Sequence, residues 1–345
     1  MSQEVRFTLI GAGSIGRNLL DILIHRGAAI ESDYGLKFVL VGAADSGGAA
    51  IDPAGLDMVA VRDLKLAGEG MRDYAGRGRA RMTALEMISR VPSDIVVDAA
   101  PTNLRDGEPG LSCIRAALRA KRHVVMADKG PLVLAFAELV NLAREMGARL
   151  LYSGTVAGGL PTVNIGVRDL AGSAVQRVDG LFNETSNYIL TRMEEERIPY
   201  EDALRAAQEA GIAEADPSLD VEGWDAAGKL VIIANSALRH PATLADVDIT
   251  GIRGLRLEDL LRARSQGKVI KPLAIAERRG SGYLLRVAPV ALDEDHPLAR
   301  LGRWEMGVVY HTDCMGAISA IIEEMGPVPT SAAVLRDMIN VFTAH

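Results

Sequence analysis

The chain has 345 residues, which exceeds one minimal hydrophobic core and predicts two domains of ordinary size. Hydrophobic residues make up 48% and charged residues 24%, a composition that excludes a disordered or fibrous protein. A formal net charge of -7 argues against nucleic acid and anionic membranes as partners. The sequence begins without a signal-peptide pattern and contains no bilayer-length apolar stretch, so we expect a cytoplasmic protein.

Short apolar runs rich in β-formers alternate with longer helical patterns over residues 1–150. This alternation is typical of a parallel sheet with crossover helices. Strands are predicted at residues 5–10, 37–43, 95–98, 123–126 and 149–152. Between them, residues such as Leu19, Leu20 and Leu23 keep helical spacing. The first domain is therefore predicted to be α/β, with a doubly wound parallel sheet.

The glycine-rich residues 154–161, GTVAGGLP, interrupt this pattern and predict a hinge. A mixed pattern follows, with strands expected near residues 175–182 and across 269–322, and helices near 186–196, 200–210 and 224–237. This pattern predicts a second, α+β domain. Apolar residues at helical spacing between 329 and 342 predict a closing helix. We place the domains at residues 1–150 and 151–326, with 327–345 as the closing segment.

A glycine turn, GAGSIG, follows the first strand and opens the first helix. Gly11 permits a tight turn, Gly13 lets the backbone approach a pyrophosphate, and Gly16 lets the helix lie close to the strand. The backbone N–H groups around Ser14 and Ile15, at the start of the helix, favour phosphate charge. The turn therefore predicts a Rossmann-type domain that binds the pyrophosphate of NAD or NADP.

Asp45 ends the second predicted strand, where the Rossmann pattern places an acidic residue that binds the adenosine ribose. A carboxylate there repels a 2′-phosphate, which favours NAD. The spacing from the glycine turn is long, and we interpret residues 27–35 as an extended connection. The basic cluster Arg77, Arg79 and Arg81 is the alternative, because it offers positive charge to a 2′-phosphate, and NADP stays open.

Lys129 follows the strand at residues 123–126 in the sequence HVVMADKGP. In open α/β sheets the ligand lies at the carboxyl ends of the strands, so Lys129 is predicted to project toward the nicotinamide. Ala100 and Pro101 follow the neighbouring strand, at residues 95–98, and are also predicted to bind the cofactor.

An acidic loop at residues 214–220 leads into a helix that carries Asp225 and Lys229. Residues four apart share one helical face, so the carboxylate and the ammonium point in the same direction. Small and apolar neighbours, such as Gly228, indicate that this helix is largely buried. A buried charge pair is costly without a further role, so the pair predicts a catalytic site.

Five motifs together resemble the homoserine dehydrogenase family. They are GAGSIG at 11–16, VVMADKGPL at 124–132, TVAGGLP at 155–161, GLFNETSNYILTRMEE at 180–195 and EADPSLDVEGWDAAGKLVIIA at 214–234. PVPTSAAVLRD at 327–337 is similar to the closing segment of the family. The resemblance implies the short form of the enzyme, without a regulatory extension. It also implies a nucleotide domain completed by the closing helix, and a substrate domain whose sheet forms a homodimer.

The resemblance further implies interconversion of L-homoserine and L-aspartate 4-semialdehyde, an amino-acid substrate. Lys129 and Lys229 would flank the reacting hydroxyl, and Glu214 and Asp225 would bind the substrate ammonium and orient the lysine. We assign proton transfer to Lys229 and stabilisation of the oxygen's negative charge to Lys129. The substrate pocket would be lined by Asn183, Glu184, Thr185, Ser186, Asn187, Tyr188 and Gly159.

The chain departs from the family pattern at three positions. Glu184 stands where the family usually has glycine, which leaves the exact substrate open. Ser153 stands where the family usually has a glutamate that helps hold a sodium ion. A monovalent cation, Na⁺ or K⁺, would then depend on the carbonyl groups of Val156, Gly158 and Leu160. Asp128 stands where asparagine is common.

The same motifs distinguish this chain from two other classes of dehydrogenase. A sugar or inositol dehydrogenase pairs its lysine with a DxxxH helix, whereas this helix carries Asp225 and Lys229. An aspartate-semialdehyde type of enzyme needs a nucleophilic cysteine. Cys113 and Cys314 have no redox or metal-ligand spacing, and both are expected to be buried thiols outside a disulfide. A related amino or hydroxy acid as substrate, or a nucleotide-binding sensor without catalysis, stays open.

Overall fold

Two compact units make up the computed structural model of the chain. The first comprises Met1–Gly159 together with Gly326–His345, and the second comprises Leu160–Met325. The structure describes residues 2–343, so Met1 and the last two positions of the expected closing segment, 327–345, lie outside the described residues. Among the described helices, none is both long and apolar enough to cross a bilayer.

The first unit is built on one sheet flanked by helices. Its strands are β1 (Gln3–Ile10), β2 (Leu36–Asp45), β3 (Gly48–Ile51), β4 (Gly78–Arg79), β5 (Ile95–Asp98), β6 (His123–Met126) and β7 (Leu150–Leu151). Its helices are α1 (Ser14–Tyr34), α2 (Met58–Leu66), α3 (Ala84–Arg90), α4 (Gly110–Arg119), α5 (Gly130–Met146) and α12 (Val328–Asn340). The strand order in the sheet is β4-β3-β2-β1-β5-β6-β7.

Strand β1 lies at the point where the strand order reverses. It pairs in parallel with β2 on one side and with β5 on the other, and β6 and β7 continue the parallel arrangement. Loops leave the carboxyl ends of such neighbouring strands in opposite directions and open a crevice between them. The glycine turn after β1 lies at this position. The predicted Rossmann-type fold is confirmed.

The structure differs from the sequence prediction at two places in this unit. β3 and β4 add antiparallel strands at one edge, so the sheet is not parallel throughout. Residues 27–34 belong to α1, which ends where Gly35 adopts a left-handed φ of 67°. The predicted extended connection over 27–35 is therefore wrong. Burial of Ile30 keeps this last part of α1 in place although Gly27 lowers its helical propensity.

The closing helix α12 is part of the core of the first unit. Val334 and Met338 on α12 are fully buried and join the same apolar cluster as Phe7 and Leu9 of β1. The helix also packs against α1. Because each buried side chain of this kind contributes roughly 1.5–3 kcal/mol, α12 adds several kcal/mol to the stability of this unit.

The second unit is built on a sheet in the order β13-β12-β8-β10-β11-β9. Its strands are β8 (Val175–Leu181), β9 (Val247–Ile249), β10 (Lys268–Arg279), β11 (Gly282–Asp293), β12 (Glu305–Thr312) and β13 (Ala317–Glu323). Its helices are α6 (Thr162–Asn164), α7 (Glu184–Glu196), α8 (Tyr200–Glu209), α9 (Ser218–Val221), α10 (Trp224–Ser236) and α11 (Leu257–Ser265). The strands pair antiparallel except for β9, which is parallel to β11. The predicted α+β class is confirmed.

Candidate active site

The three glycines of the turn after β1 meet different surroundings. Gly11 has a φ of 84°, and a Cβ atom on it would lie 2.4 Å from the carbonyl oxygen of Ala99. A Cβ atom on Gly16 would lie 2.2 Å from the carbonyl oxygen of Gly11. A Cβ atom on Gly13 would have no atom of the described residues within 4 Å. The fold itself therefore requires Gly11 and Gly16, whereas the small size of Gly13 leaves room for a ligand.

Helix α1 starts at this turn with its backbone donors available. Among the described residues, no side chain caps its first turn, and no acidic residue lies there. Ser14 is exposed and Ile15 is half-buried. The unsatisfied N–H groups and the positive end of the helix dipole favour a phosphate at this position.

Asp45 lies at the end of β2 and already accepts three hydrogen bonds. Its Oδ1 accepts from Gly47 N at 2.8 Å, and its Oδ2 accepts from Met71 N at 3.0 Å and from Lys65 Nζ at 2.5 Å. A carboxylate offers about four acceptor positions, so one remains for a ribose hydroxyl. The alternative cluster Arg77, Arg79 and Arg81 is exposed, and Arg77 forms an ion pair with Asp52 at 3.0 Å.

Lys129 directly follows the end of β6, and its Nζ donates to Thr102 Oγ1 at 3.2 Å. Thr102 belongs to the loop after β5, which also carries Ala100 and Pro101. This loop is held to its strand by the bond from Ala100 N to Asp98 Oδ1, at 3.1 Å. The structure thus brings together Lys129 and the loop of Ala100 and Pro101 at the carboxyl ends of two adjacent strands.

Two buried carboxyl groups, Asp98 and Asp128, lie at these same strand ends. Burial, and next the charge of Asp128, raise the pKa of Asp98 to about 8. Burial also raises the pKa of Asp128, although hydrogen bonds from Gly130 N and Thr102 and the charge of Lys129 oppose the rise. Sequence reasoning missed this pair, because nothing in the sequence shows that the two carboxyl groups converge.

In the second unit, Lys229 and Asp225 form the ion pair that their spacing predicts. Lys229 Nζ lies 2.8 Å from Asp225 Oδ2 and donates to the carbonyl oxygen of Phe182 at 2.5 Å. Both side chains are largely buried, at 15% and 12% exposure. An ammonium has three N–H donors, and these two acceptors use two of them. Among the described residues, these are the two acceptors within bonding distance of Lys229 Nζ, which leaves one N–H for a further acceptor.

Asn183 connects this ion pair to a further carboxylate. Its Nδ2 donates to Asp225 Oδ2 at 2.8 Å and to Asp220 Oδ1 at 2.7 Å, while its Oδ1 accepts from Ser186 N and caps α7. Burial and the neighbouring charge of Asp225 raise the pKa of Asp220. Asp220 was not predicted as a site residue, although Asp220 lies in the acidic loop and only five residues before Asp225.

Glu184 is the first residue of α7 and is half-buried. Burial and the charge of Glu324 raise the pKa of Glu184 to about 7, against the opposite effect of the Lys229 ammonium. Glu184 therefore changes its charge near neutral pH. Glu324, which follows β13 and is buried, is a second residue that the sequence analysis missed.

The other predicted pocket residues are spread over a wider region of the second unit, except Gly159, which belongs to the first unit. Glu214 is exposed on the loop after α8. Thr185 is buried, and its hydroxyl donates to the carbonyl oxygen of Ile212 at 3.2 Å. Tyr188 belongs to an apolar cluster and stacks on Trp304 with ring centroids 5.2 Å apart. Of the predicted set, Asn183, Asp225 and Lys229 are directly bonded. Thr185 also lies in hydrogen-bonding contact with Asp220, whereas Glu214 and Tyr188 are not part of that network.

A buried lysine outside the predicted set holds α7 in place. Lys271 Nζ donates to Asn187 Oδ1, Thr191 Oγ1 and the carbonyl oxygen of Leu301, at 3.0, 3.2 and 2.7 Å. Burial lowers the pKa of Lys271 to about 8. Its three acceptors fix the orientation of the helix that begins at Asn183.

The residues expected to ligate a monovalent cation fall on both sides of the division between the units. Val156 and Gly158 belong to the first unit and Leu160 to the second. Ser153, in place of a family carboxylate, is buried and bonded to Asp337: its N and Oγ both donate to that carboxylate at 2.7 Å. Position 153 therefore offers no carboxylate to a cation.

One group of metal-ligand type occurs among the described residues, formed by Asp179, His296 and His311. Its carboxylate is already paired with the guanidinium of Arg177 at 2.7 Å. His296 Nδ1 accepts from Leu298 N at 3.1 Å, so Nε2 carries the proton and is not a free ligand atom. The group is thus a charge and hydrogen-bond network of the second sheet.

The two cysteines differ in environment. Cys113 is buried in α4, and burial raises the pKa of its thiol to about 12, so it is not a nucleophile. Cys314 is exposed, which makes the prediction of two buried thiols wrong. It lies in the turn between β12 and β13, where the chain reverses at the surface. Both cysteines are free, as expected.

Comparison with known proteins gives a consistent result. The family profile described as homoserine dehydrogenase matches residues 161–339. A homoserine dehydrogenase from Methanocaldococcus jannaschii is 35% identical over 97% of this chain and 98% of that protein. An NAD(+)-dependent homoserine dehydrogenase from Pseudomonas canavaninivorans is 34% identical over 98% of this chain and 96% of that protein. The structure of a homoserine dehydrogenase from Thiobacillus denitrificans has a TM-score of 0.85 at 29% identity, covering 99% of this chain and 73% of that chain.

Proposed function

Because this chain belongs to the homoserine dehydrogenase family, we propose that it interconverts L-homoserine and L-aspartate 4-semialdehyde with NAD(P) as hydride carrier. The observation that carries the proposal is the buried Lys229–Asp225–Asn183 network, in which one N–H donor of the lysine stays available. If the ion pair had only a structural role, it would not require a lysine N–H group that bonds to no protein acceptor. The open side of Gly13 supports dinucleotide binding in the other unit.

The nicotinamide supplies the hydride acceptor for oxidation and the hydride donor for reduction. In the oxidation, neutral Lys229 Nζ takes the proton of the substrate hydroxyl while the carbon-bound hydrogen leaves with its electron pair, and an aldehyde forms. In the reduction, the ammonium returns the proton to the oxygen. Asp225 orients Lys229 and stabilises its ammonium form, as the 2.8 Å contact supports.

Lys129 has a different proposed role. We assign to it the stabilisation of negative charge on the substrate oxygen and contact with the cofactor. Its attachment to Thr102 at the strand ends supports a fixed position for this charge. Ala100 and Pro101 belong to the same proposed cofactor site, together with Gly11, Gly13, Ser14, Ile15, Gly16 and Asp45.

For the substrate, we propose that the ammonium group is bound by Asp225, Glu214 and Glu184. Thr185 and Tyr188 complete the proposed pocket of the second unit, and the predicted substrate contact of Gly159, in the first unit, stays a prediction. Glu184 carries a raised pKa of about 7, so its attraction for an ammonium grows as the pH rises through neutrality. This carboxyl also favours the second candidate, a related amino acid with a further polar group, because it adds a hydrogen-bonding position beside Lys229.

NAD is the proposed preferred cofactor. The carboxylate of Asp45 at the end of β2 supports this choice, since a carboxylate at this position of a Rossmann fold accepts from a ribose hydroxyl and repels a 2′-phosphate. The Lys65 ammonium on Asp45 reduces that repulsion, which predicts a preference rather than an exclusion of NADP. The relative from Pseudomonas canavaninivorans is also named as NAD(+)-dependent.

We also propose a homodimer formed through the second sheet. Large apolar side chains stay exposed on its strands, with Leu284 on β11 at 51% and Ile321 on β13 at 48% exposure. Exposed apolar positions on a sheet are typical of association surfaces. Light scattering after gel filtration measures the mass, and a monomer at micromolar concentration would contradict the dimer.

The activity is tested by following cofactor absorbance with L-homoserine and with a panel of related amino and hydroxy acids, each with NAD and with NADP. We expect turnover with L-homoserine and a higher kcat/KM with NAD. Turnover with another acid but not with L-homoserine would identify that acid as the substrate. Cofactor binding without turnover of any acid would favour the alternative of a nucleotide-binding sensor without catalysis.

A further inference from the structure

Ser153 is fixed by the closing helix of its own unit. Its backbone N donates to Asp337 Oδ2 and its hydroxyl to Asp337 Oδ1, each at 2.7 Å, although the two residues are 184 positions apart. Burial raises the pKa of Asp337, while the bonds from Ser153 and the charge of Arg336 hold it down. The carboxylate at this place thus comes from α12, and each of its two oxygens accepts one hydrogen bond from Ser153.

Arg336, the neighbour of Asp337 on α12, brings a positive charge to the same segment. Its Nη2 donates to Ser153 Oγ at 3.1 Å, and its Nη1 donates to the carbonyl oxygen of Gly159 at 3.4 Å. The guanidinium therefore contacts both Ser153 and Gly159. We refer to the residues between them, with both ends included, as segment 153–159. All of these residues belong to the first unit.

We propose that the guanidinium of Arg336 takes the structural place of a monovalent cation, so that the protein is stable and active without Na⁺ or K⁺. The exchange is balanced in charge once Asp337 is counted. Ser153 lacks the carboxylate of a glutamate, Asp337 supplies one at the same place, and the guanidinium replaces the mobile cation. A guanidinium remains protonated at every working pH and presents its donors in a fixed plane, which suits a carbonyl and a hydroxyl oxygen.

A second cation beside this guanidinium is disfavoured for two reasons. Like charges a few ångströms apart repel each other strongly in a partly buried site. The carbonyl oxygen of Gly159 and the hydroxyl oxygen of Ser153 also already accept hydrogen bonds from Arg336. The structural result is that segment 153–159 is attached to α12 by a covalently held charge, and this attachment does not depend on the salt in solution.

The first experiment uses the unmodified protein. Its Tm and its ²³Na NMR line width are measured in NaCl, KCl and choline chloride at the same ionic strength. We expect the same Tm in all three salts and no excess broadening of the sodium line. A saturable rise of Tm with Na⁺ or K⁺ that choline does not reproduce would overturn the proposal. Neither readout requires a substrate, so the result is independent of the proposed reaction.

The second experiment rebuilds a cation site. The double variant Ser153→Glu/Arg336→Ala restores a carboxylate and removes the attached charge, and we expect its Tm to rise saturably with Na⁺ or K⁺. The control is Arg149→Ala in the same unit, since Arg149 also donates to backbone carbonyls, those of Asn340 and Val341. The control loses stability equally in every salt. A folded double variant whose Tm does not change with Na⁺ or K⁺ would contradict the proposal. If the double variant does not fold, the salt series on the unmodified protein tests the proposal.

Discussion

Asp98 Oδ2 and Asp128 Oδ2 converge on one point in space, the position that a Cβ atom would take on Gly110, at 2.9 and 3.0 Å. No donor from the described part of the chain reaches Asp98 Oδ2. Burial and the like charge of Asp128 raise the pKa of Asp98 to about 8, so we infer that the pair holds one proton at neutral pH. Glycine is required at position 110 because the carboxyl groups fill the space of any side chain.

The shared proton predicts the effect of Asp128→Asn. An asparagine amide has the same shape and supplies a permanent donor to Asp98, so it removes the like-charge repulsion. The folded pKa of Asp98 lies above its unfolded value of about 3.9, so the folded wild type binds extra protons and loses stability as pH rises toward the raised pKa of about 8. We expect the free energy of unfolding of the variant to equal that of the wild type near pH 4 and to exceed it by roughly 1–3 kcal/mol near pH 8.

Urea unfolding at several pH values between these limits measures this difference. Asp94→Asn is the control, because Asp94 is an exposed aspartate just before the same strand and accepts from Arg6 N at 2.7 Å. We expect no gain in stability near pH 8 from this exposed position. A stability difference for Asp128→Asn that stays constant from acidic to alkaline pH would contradict proton sharing.

Gly13→Ala should separate cofactor binding from folding. A methyl group on Gly13 meets no protein atom within 4 Å among the described residues, but it occupies the space that we assign to the pyrophosphate. We expect an unchanged Tm and a KM for NAD(P) raised at least about tenfold, a loss of about 1.4 kcal/mol in binding. Gly27→Ala is the matched control, because Gly27 is equally open but lies within α1. It should leave KM unchanged and stabilise the helix by about 0.5–1 kcal/mol.

Lys229→Ala tests proton transfer. Loss of a positioned acid–base group lowers kcat by roughly 10²–10⁴-fold, while the dissociation constant of NAD(P), measured by fluorescence titration, should not change. Lys268→Ala removes an exposed lysine that is paired with Asp293 at 2.9 Å, and it serves as the control with normal turnover. Turnover of Lys229→Ala within a few-fold of the wild type would require another proton-transfer group.

Glu184→Gln tests the contribution of this carboxyl to substrate binding. Below its pKa of about 7 the wild-type side chain is neutral and resembles glutamine, whereas above it the carboxylate attracts the substrate ammonium. The ratio of KM for the amino acid, variant over wild type, should therefore rise from near unity at about pH 6 to several-fold at about pH 8. A ratio that is independent of pH would show that the charge of Glu184 does not contact the substrate.

The sequence predicted those parts of the site whose chemistry depends on local spacing. The glycine turn and the Asp225–Lys229 pair are examples, because three residues of a turn or one helical turn determine their geometry. The bond from Ser153 to Asp337 and the pair of Asp98 with Asp128 depend on which loops the fold brings together. No local pattern encodes those contacts.

One wrong prediction and one feature that was not predicted have similar physical reasons. Residues 27–34 were interpreted as extended because Gly27 interrupts a helical pattern, but burial of Ile30 outweighs a propensity cost of about 1 kcal/mol. The short strands β3 and β4 span only four and two residues, and they form because β3 pairs with β2 and β4 pairs with β3. Tertiary pairing decided the structure in both places.

Helix α12 gives the first unit a particular order of assembly during synthesis. The ribosome completes residues 1–159 early, yet their core lacks Val334 and Met338 until the whole second unit has been translated. The unit that is started first is therefore finished last. A nascent chain paused anywhere before α12 exposes the apolar surface of α1 to chaperones, and a stop codon at the start of α12 leaves that surface permanently uncovered.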